Sequence, residues 1–321
     1  MLPPRSPALR GSLPPEGAAL PRGGSSSRLQ AVCMIGVGNM GGGMALNLLS
    51  RGYVVHVCDV DARKESDLKQ KGAIAGLLPA QSAINSGVSI IGVIDSAQIE
   101  EVLLGKDGLL LGDSTALQKH TVMLCPTISP QDAQRFAKLL AERGVRMVEA
   151  PMSGGPVRAQ DGSMSLMVAC EDALFAQHEV LLRDLSNKLF HVSQRIGDAA
   201  RTKLVNNLLA AINLTGAAEA IAMAQKLGLD AKRTLDVIEQ SSGQSWIGSD
   251  RMRRALAGKE DSPGAHMTLL AKDTKLAMQA ALDAGCNNPM GEVAAGLFAQ
   301  ALQAGMGDLD DSQMLKLLQG Q

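Results

Sequence analysis

Lys203 lies in a stretch of otherwise apolar and amide residues, and its neighbours have the spacing of one helical face. Asn206 and Asn207 follow it by three and four residues, and small or apolar residues continue the stripe. A lysine that shares a face with two carboxamides suits a partly buried pocket in which the lysine transfers protons. The same pattern also fits a lysine that extends along a solvated helix while the asparagines cap a loop. The residues alone leave both interpretations open.

A glycine-rich turn with the spacing G-x-G-x-x-G follows an apolar strand, at residues 36–41. The residues of this turn that we expect to contact a cofactor are Gly36, Gly38, Asn39, Met40 and Gly41. In such a turn the first glycine permits the bend, the second lets backbone approach a pyrophosphate, and the third packs helix against strand. With a strand before it and a helix after it, the turn predicts dinucleotide binding.

An acidic residue ends the next predicted strand. Asp59 follows the predicted strand Tyr53–Cys58. In dinucleotide-binding proteins an acid about 20 residues after the glycine turn accepts hydrogen bonds from the ribose hydroxyls, and Asp59 has about this separation in sequence. A carboxylate there repels the 2′-phosphate of NADP, so the sequence predicts NAD as the cofactor. Arg63 and Lys64 lie close enough to weaken that preference and to admit NADP.

A glycine loop leaves a predicted strand at its carboxyl end, where open α/β sheets bind ligands. Gly154 and Gly155 expose backbone N–H groups in this loop, and Ser153 adds a hydroxyl. Together these groups suit a carboxylate, although a plain glycine turn explains the composition equally well.

Two features of the carboxyl-terminal half are ambiguous. Lys272 and Asp273 are adjacent within an apolar helical pattern, which is more typical of a solvated charge pair on a helix. Trp246 is the only tryptophan, and its pattern fits a pocket wall and a core position equally well.

The elements that position these residues fall into three segments. Residues 1–29 are rich in proline, arginine and serine, which predicts a disordered leader; the prolines argue against the amphipathic helix of a transit peptide. Residues 30–196 alternate apolar strands with helices, which predicts a parallel sheet covered on both faces. Residues 197–321 begin with a helix of nearly thirty residues and continue with helices alone. The sequence therefore predicts an α/β domain followed by an all-helical domain.

Composition excludes several classes of function. The net charge of −1 gives no electrostatic reason to bind nucleic acid or an anionic membrane surface. The five cysteines have no C-x-x-C spacing, so we expect no zinc or other metal site. They are interpreted instead as buried thiols in a reducing compartment, which favours a cytoplasmic location.

Four motifs in this order resemble the β-hydroxyacid dehydrogenase family, which includes 3-hydroxyisobutyrate dehydrogenase, tartronate semialdehyde reductase and L-threonate dehydrogenase. They are the glycine turn at 36–41, the loop at 150–155, the segment 203–207 and the segment 271–273. The resemblance covers residues 30–321. It implies a doubly wound Rossmann-type sheet, a long interdomain helix, and a homodimer or homotetramer built through the helical domain.

The resemblance also implies roles for individual residues. Lys203 would be the general acid/base of the reaction. The implied substrate-binding residues are Ser153, Gly154, Gly155, Asn206 and Asn207. The implied cofactor contacts beyond the glycine turn and Asp59 are Val93, Ile94, Thr127 and Lys272.

The cofactor loops depart from the family pattern at several positions. Leu124 and Pro126 replace an acidic residue and a serine before Thr127, and Val93–Ile94 replaces a Leu-Pro pair. Ala199 stands where the family has a glycine four residues before the lysine. Similar loops occur in members resembling L-threonate dehydrogenase, which favours a small sugar acid as substrate.

The activity implied is hydride transfer between NAD and a small 3-hydroxy acid or its semialdehyde or keto form. Two alternatives remain on the same fold. Imine reductases usually replace the lysine, so Lys203 argues against that class. A non-catalytic dinucleotide-binding protein would have no need of the lysine and amide pair.

Overall fold

The computed structural model describes residues 30–258 and 264–320, so the predicted leader, residues 1–29, lies outside the described residues. The first part of the chain forms a nine-stranded sheet. Its strands are β1 (Ala31–Ile35), β2 (Val54–Cys58), β3 (Ile74–Ala75), β4 (Val88–Ile91), β5 (Thr121–Leu124), β6 (Arg146–Glu149), β7 (Met152–Ser153), β8 (Ser165–Ala169) and β9 (Lys188–Ser193).

The strand order is β3-β2-β1-β4-β5-β6-β8-β7, and β9 pairs with β8. The pairs from β3 to β6 are parallel, as is β8 with β9, but β8 runs antiparallel to both β6 and β7. The expectation of a wholly parallel sheet is therefore wrong at this edge. The strands β3 and β7 have only two residues each, too few to give an apolar pattern in the sequence.

Helices cover both faces of this sheet. They are α1 (Asn39–Ser50), α2 (Ala62–Lys69), α3 (Ser82–Asn85), α4 (Ser96–Leu104), α5 (Ser114–Leu117), α6 (Pro130–Ala141), α7 (Gly155–Asp161) and α8 (Asp172–Leu185). Successive residues of β1 point to opposite faces, so Met34 packs into one apolar cluster and Ile35 into the other. Two separate cores, one on each face, make the sheet doubly wound as predicted.

The remaining helices of the described chain are α9 (Asp198–Lys226), α10 (Ala231–Glu239), α11 (Trp246–Leu256), α12 (Met267–Asp283), α13 (Pro289–Gln303) and α14 (Met314–Gln319). The other five pack around α9 and share a third apolar cluster with it. Within the described residues, α9 alone has the length and hydropathy of a membrane span. Because it is surrounded by these helices and carries buried Lys203 and Asn207, we assign it as the core helix of this part.

A buried carboxylate connects the sheet to α9. Glu149 ends β6, and its two oxygens accept hydrogen bonds from the N–H groups of Gly197 (2.6 Å) and Ala200 (2.7 Å). A carboxylate at a helix N-terminus is favoured by the helix dipole. Burial raises the pKa of Glu149, and the backbone hydrogen bonds oppose this effect. The contact holds the first turn of α9, and hence Lys203 one turn further, against the end of the sheet.

The cysteines are unpaired. Cys33, Cys125 and Cys170 are buried as expected and Cys58 is half-buried, but Cys286 is exposed. Cys286 follows the C-terminal end of α12 in a polar turn, so its surroundings contain no apolar strand that would bury it.

Candidate active site

A cavity of about 850 Å³ lies between the carboxyl ends of the strands and the helical part of the chain. Most of the residues predicted from the sequence line it: Gly38, Asn39, Met40, Val93, Ile94, Thr127, Ser153, Gly154, Gly155, Lys203, Asn206, Asn207 and Lys272. Gly36, Gly41 and Asp59 do not line it. Gly36 and Gly41 shape the glycine turn from within, and Asp59 accepts a hydrogen bond from the Val37 N–H of the turn.

The three glycines of the turn have three different surroundings. Gly36 has φ +85°, and its N–H donates to the Cys58 carbonyl at 2.8 Å. A Cβ on Gly41 would lie 2.0 Å from the Gly36 carbonyl oxygen, so only glycine lets α1 pack this close. A Cβ on Gly38 would meet no atom within 4 Å and would project into open space. No side chain caps the start of α1 and its first turn has no acidic residue, which leaves its N–H groups suited to a pyrophosphate.

The carboxylate of Asp59 braces this turn. One oxygen accepts the Val37 N–H at 2.8 Å and the other accepts the Asp61 N–H at 2.9 Å. Each oxygen keeps a further lone pair for a ribose hydroxyl. The ammonium of Lys64 lies 3.8 Å from the carboxylate, so part of its negative charge is compensated.

The strand β4 ends at Ile91, although Val93 and Ile94 beyond it are also apolar. A Cβ on Gly92 would lie 2.9 Å from the Met34 side chain and 3.1 Å from the Gly36 carbonyl oxygen, so the chain turns away here beside the glycine turn. This bend brings Val93 and Ile94 to the cavity wall.

Lys203 is buried at the centre of the site, with 5% of its surface exposed. Burial, reinforced by the nearby charge of Lys272, lowers the pKa of its ammonium to about 8, and Asp273 opposes this shift. A lysine with this pKa exists in both protonation states near neutral pH, which a group that both accepts and donates a proton requires.

The two asparagines form a hydrogen-bonded chain. Asn206 donates to the Asn207 side-chain oxygen at 3.0 Å, and Asn207 donates to Asp273 at 2.6 Å. Both amides therefore have fixed orientations, and one N–H of the Asn207 amide is left for a ligand.

Lys272 and Asp273 are not the solvated pair that their sequence suggested. Asp273 is 9% exposed and contacts Asn207, and the Lys272 ammonium lies 2.9 Å from its other oxygen. Lys272 also donates to the Thr127 carbonyl at 2.6 Å, which ties the helical part to a loop of the sheet. The sequence does contain a pattern that indicates this burial, because Asp273 shares a helical face with the apolar residues Leu270 and Ala277.

The glycines of the predicted anion loop differ in their surroundings. Gly154 has φ +137°, and a Cβ there would lie 2.9 Å from Arg158 Cδ, whereas a Cβ on Gly155 would meet nothing within 4 Å. Gly155 is therefore the residue whose backbone a ligand can approach. The Arg158 guanidinium stacks over the Trp246 ring, 4.6 Å from its centroid. Trp246 is thus a wall of the cavity, 46% exposed, and not a core residue.

Comparison with known proteins places the chain in a family. Residues 31–193 match the model of the NAD-binding domain of 6-phosphogluconate dehydrogenase. Residues 197–318 match the NAD-binding model of NADP-dependent 3-hydroxyisobutyrate dehydrogenase. The chain belongs to the β-hydroxyacid dehydrogenase family and to its enzyme class, the NAD(P)-dependent dehydrogenases of hydroxy acids.

Individual relatives match almost the whole chain. An L-threonate dehydrogenase of Cupriavidus necator is 30% identical over 89% of this chain and 95% of its own length. A 3-hydroxyisobutyrate dehydrogenase of Pseudomonas aeruginosa is 32% identical over 90% of this chain and 98% of its own. The crystal structure of a 3-hydroxyisobutyrate dehydrogenase from Salmonella typhimurium superposes with a TM-score of 0.82 at 29% identity, covering 90% and 99% of the two chains. The Rossmann-type sheet followed by helices is therefore the fold of this family.

Proposed function

We propose that the protein transfers a hydride between NAD and a small hydroxy acid, with Lys203 as the general acid/base. The observation that carries this proposal is a lysine that is buried in the cavity between the glycine turn and the anion loop, with its pKa lowered to about 8. The 3-hydroxy acids are the substrate class that the family resemblance favours.

The residues present fit a dinucleotide. The open space beside Gly38 and the uncapped start of α1 suit the pyrophosphate, while Asp59 suits the ribose. Val93, Ile94, Thr127 and Lys272 also line the cavity, and we assign them to the nicotinamide end of the cofactor. When bound, NAD supplies the carbon that accepts or returns the hydride.

Lys203 moves the proton that must accompany the hydride. In oxidation the neutral amine at Nζ takes the proton of the substrate hydroxyl, and in reduction the ammonium returns it to the forming alkoxide. The free N–H of Asn207 and the backbone of Gly155 orient the acid, with Ser153 offering a hydroxyl to its carboxylate. Asp273 holds Asn207 and favours the ammonium of Lys203, so its charge balances that of the lysine.

The organisation that we propose around this site has two domains, residues 30–196 for the cofactor and 197–321 for the substrate and for oligomerisation. Exposed apolar side chains on the helical part, including Val205, Met223 and Val293, support a homodimer or homotetramer. A cytoplasmic location agrees with the unpaired cysteines. Size-exclusion chromatography with light scattering measures the oligomeric state, and a monomer would overturn this assignment.

A panel of hydroxy acids with NAD, followed by the absorbance of the reduced nicotinamide, tests the activity. We expect turnover by the unmodified protein and none above background for Lys203→Ala. We expect the dissociation constant for NAD to change by less than about threefold, because Lys203 is not a pyrophosphate or ribose contact. NAD binding without turnover of any acid would favour the non-catalytic alternative. Reduction of cyclic imines in place of keto acids would favour the imine reductases.

A further inference from the structure

Glu149 is a buried carboxylate that has no cation as its partner. The residue is 2% exposed, and the hydrogen bonds that it accepts come from backbone N–H groups at the start of α9. The arginines nearest to this turn in sequence, Arg195 and Arg201, pair with Asp198 instead. Removing an unpaired carboxylate from water is costly, so a position that places one here requires a reason beyond the packing of the core.

A local cap would satisfy the same N–H groups without burying a charge. The helix α10 has such a cap, because Asp230 accepts from the N–H groups of Lys232 (2.9 Å) and Arg233 (3.1 Å). The helix α9 follows Gly197, which has φ +98° and no side chain to cap it. Its acceptor comes instead from the end of β6, 48 residues earlier in the chain. A cap of this kind attaches the helix to the sheet, which a local cap does not.

Ala199 gives the first turn of α9 a second, apolar contact with the sheet. It is fully buried and packs in one cluster with Met167 and Ala169 of β8. Glu149 and Ala169 are paired residues of the adjacent strands β6 and β8. A helix that is held at one point can still slide or rotate, whereas contacts with two strands restrict both movements. The start of α9 therefore has a fixed position above this end of the sheet.

Glu149 also stands at the beginning of the segment that leads into the anion loop. Ser153 and Gly155 follow it by four and six residues. On the helix, Lys203 lies three residues beyond Ala200, which is about 4.5 Å along the axis. The loop residues and the lysine line the same cavity. One side chain thus connects the loop assigned to the substrate carboxylate with the helix that carries the amine.

We infer that Glu149 is a positioning residue, which sets the distance between a substrate held at the anion loop and the amine of Lys203. The inference rests on the proposed dehydrogenase function and names the residue that fixes its geometry. A misplacement of the reacting groups by about 1 Å can lower the rate about 10²-fold, so a small movement of α9 is sufficient. The charge of Glu149 does not act on the lysine directly, because the pKa of Lys203 follows from burial and from the charges of Asp273 and Lys272.

Two substitutions separate the length of this side chain from its charge. Glu149→Asp keeps the carboxylate but shortens the side chain by one carbon–carbon bond, about 1.5 Å. Glu149→Gln keeps the length but replaces one acceptor oxygen with an NH₂ group that faces an N–H donor. We expect kcat for oxidation, expressed per NAD-binding site, to fall at least tenfold in both variants. Calorimetric titration counts these sites, so a partly unfolded sample is not mistaken for a slow enzyme.

The matched control is Asp230→Asn, which makes the same change from carboxylate to carboxamide in the local cap of α10. Its kcat per NAD-binding site should equal that of the unmodified protein. The dissociation constant for NAD should change by less than about threefold in all three variants, because neither Glu149 nor Asp230 lines the cavity.

The pH dependence distinguishes a displaced lysine from a loss of stability. Burial lowers the pKa of Lys203 to about 8, and a first turn of α9 that is released from the sheet admits water to the amine. The pKa seen in kcat/KM for oxidation should therefore rise in Glu149→Gln. A purely structural role would leave that pKa and kcat per site unchanged, which would overturn the inference. Full kcat in Glu149→Asp would also overturn it, because a carboxylate would then suffice at either distance. An unmodified protein that oxidises no hydroxy acid would overturn the proposed function together with this role.

Discussion

The three environments around the glycines provide a sharp test of the cofactor site. We compare Gly38→Ala, Gly41→Ala and Gly216→Ala, which add the same methyl group at three positions. Gly38 has a negative φ and an extended backbone (φ −64°, ψ −161°), so it does not need the left-handed conformation that favours glycine, and an added methyl would point into open space. The methyl of Gly41→Ala would lie 2.0 Å from the Gly36 carbonyl oxygen. Gly216 lies on α9, and an added Cβ there would meet no atom within 4 Å. The Gly216→Ala variant therefore measures only the difference in helix propensity between glycine and alanine.

The expected magnitudes follow from these surroundings. Gly38→Ala should change the free energy of unfolding by less than about 1 kcal/mol, since only chain entropy changes. It should raise the dissociation constant for NAD at least tenfold, about 1.4 kcal/mol, because the methyl occupies the space of the pyrophosphate. Gly41→Ala should destabilise the fold by roughly 1–3 kcal/mol or more through overpacking. Gly216→Ala should stabilise the protein by up to about 1 kcal/mol without affecting NAD.

Urea unfolding and calorimetric titration with NAD measure both quantities for each variant. Unchanged NAD affinity in Gly38→Ala would refute the placement of the pyrophosphate beside this glycine. A Gly41→Ala protein as stable as the unmodified one would refute the packing argument for the third glycine.

Three further predictions concern charge. Asp59→Asn should raise the NADP-to-NAD ratio of kcat/KM about tenfold, because it removes the charge that repels the 2′-phosphate; a ratio that stays constant would contradict the assigned role. Burial lowers the pKa of His120 and His178 to about 4, so the folded state binds fewer protons than the unfolded state between about pH 6.5 and 4. Stability should fall by roughly 3 kcal/mol per histidine as the pH falls through that range; urea midpoints should show this slope, and His178→Gln should reduce it. Lys272→Met removes a charge that lowers the pKa of Lys203, so the pH dependence of oxidation should move to higher pH; a shift to lower pH would contradict this coupling.

The local parts of the site could be predicted from the sequence. The glycine turn and the face of α9 that carries Lys203 and Asn207 involve residues within one or two turns, so their spacing specifies the geometry. The length of α9, 29 residues, also agrees with the predicted helix of nearly thirty residues, and glycines flank it at 197 and 228. Helix periodicity and turn chemistry act over a few residues, and the sequence displays them directly.

The long-range contacts could not be predicted. Asn207 and Asp273 are 66 residues apart, and Arg251 and Asp311 are 60 apart. Whether a charged residue is solvated or buried depends on which helix packs against it, and no local pattern records that pairing. The capping of α9 by Glu149, 51 residues before Ala200, is of the same kind. The antiparallel edge of the sheet was missed because β7 is too short to have a pattern, and because the apolar pattern of β8 does not show in which direction the strand runs beside β6.

The pH dependence of both reaction directions tests the role of Lys203 most directly. Below a pKa of about 8 the lysine is protonated and cannot accept a proton, so kcat/KM for oxidation should fall about tenfold per pH unit as the pH decreases. For reduction, kcat/KM should fall as the pH rises above that value. Lys203→Met should lower the rate about 10²–10⁴-fold, and kcat/KM should then no longer depend on pH in this way for oxidation or for reduction. The control is Lys226→Met, which removes an exposed lysine at the far end of the same helix and should leave both profiles unchanged. A Lys203→Met enzyme within threefold of the unmodified rate, or with both profiles intact, would contradict the account.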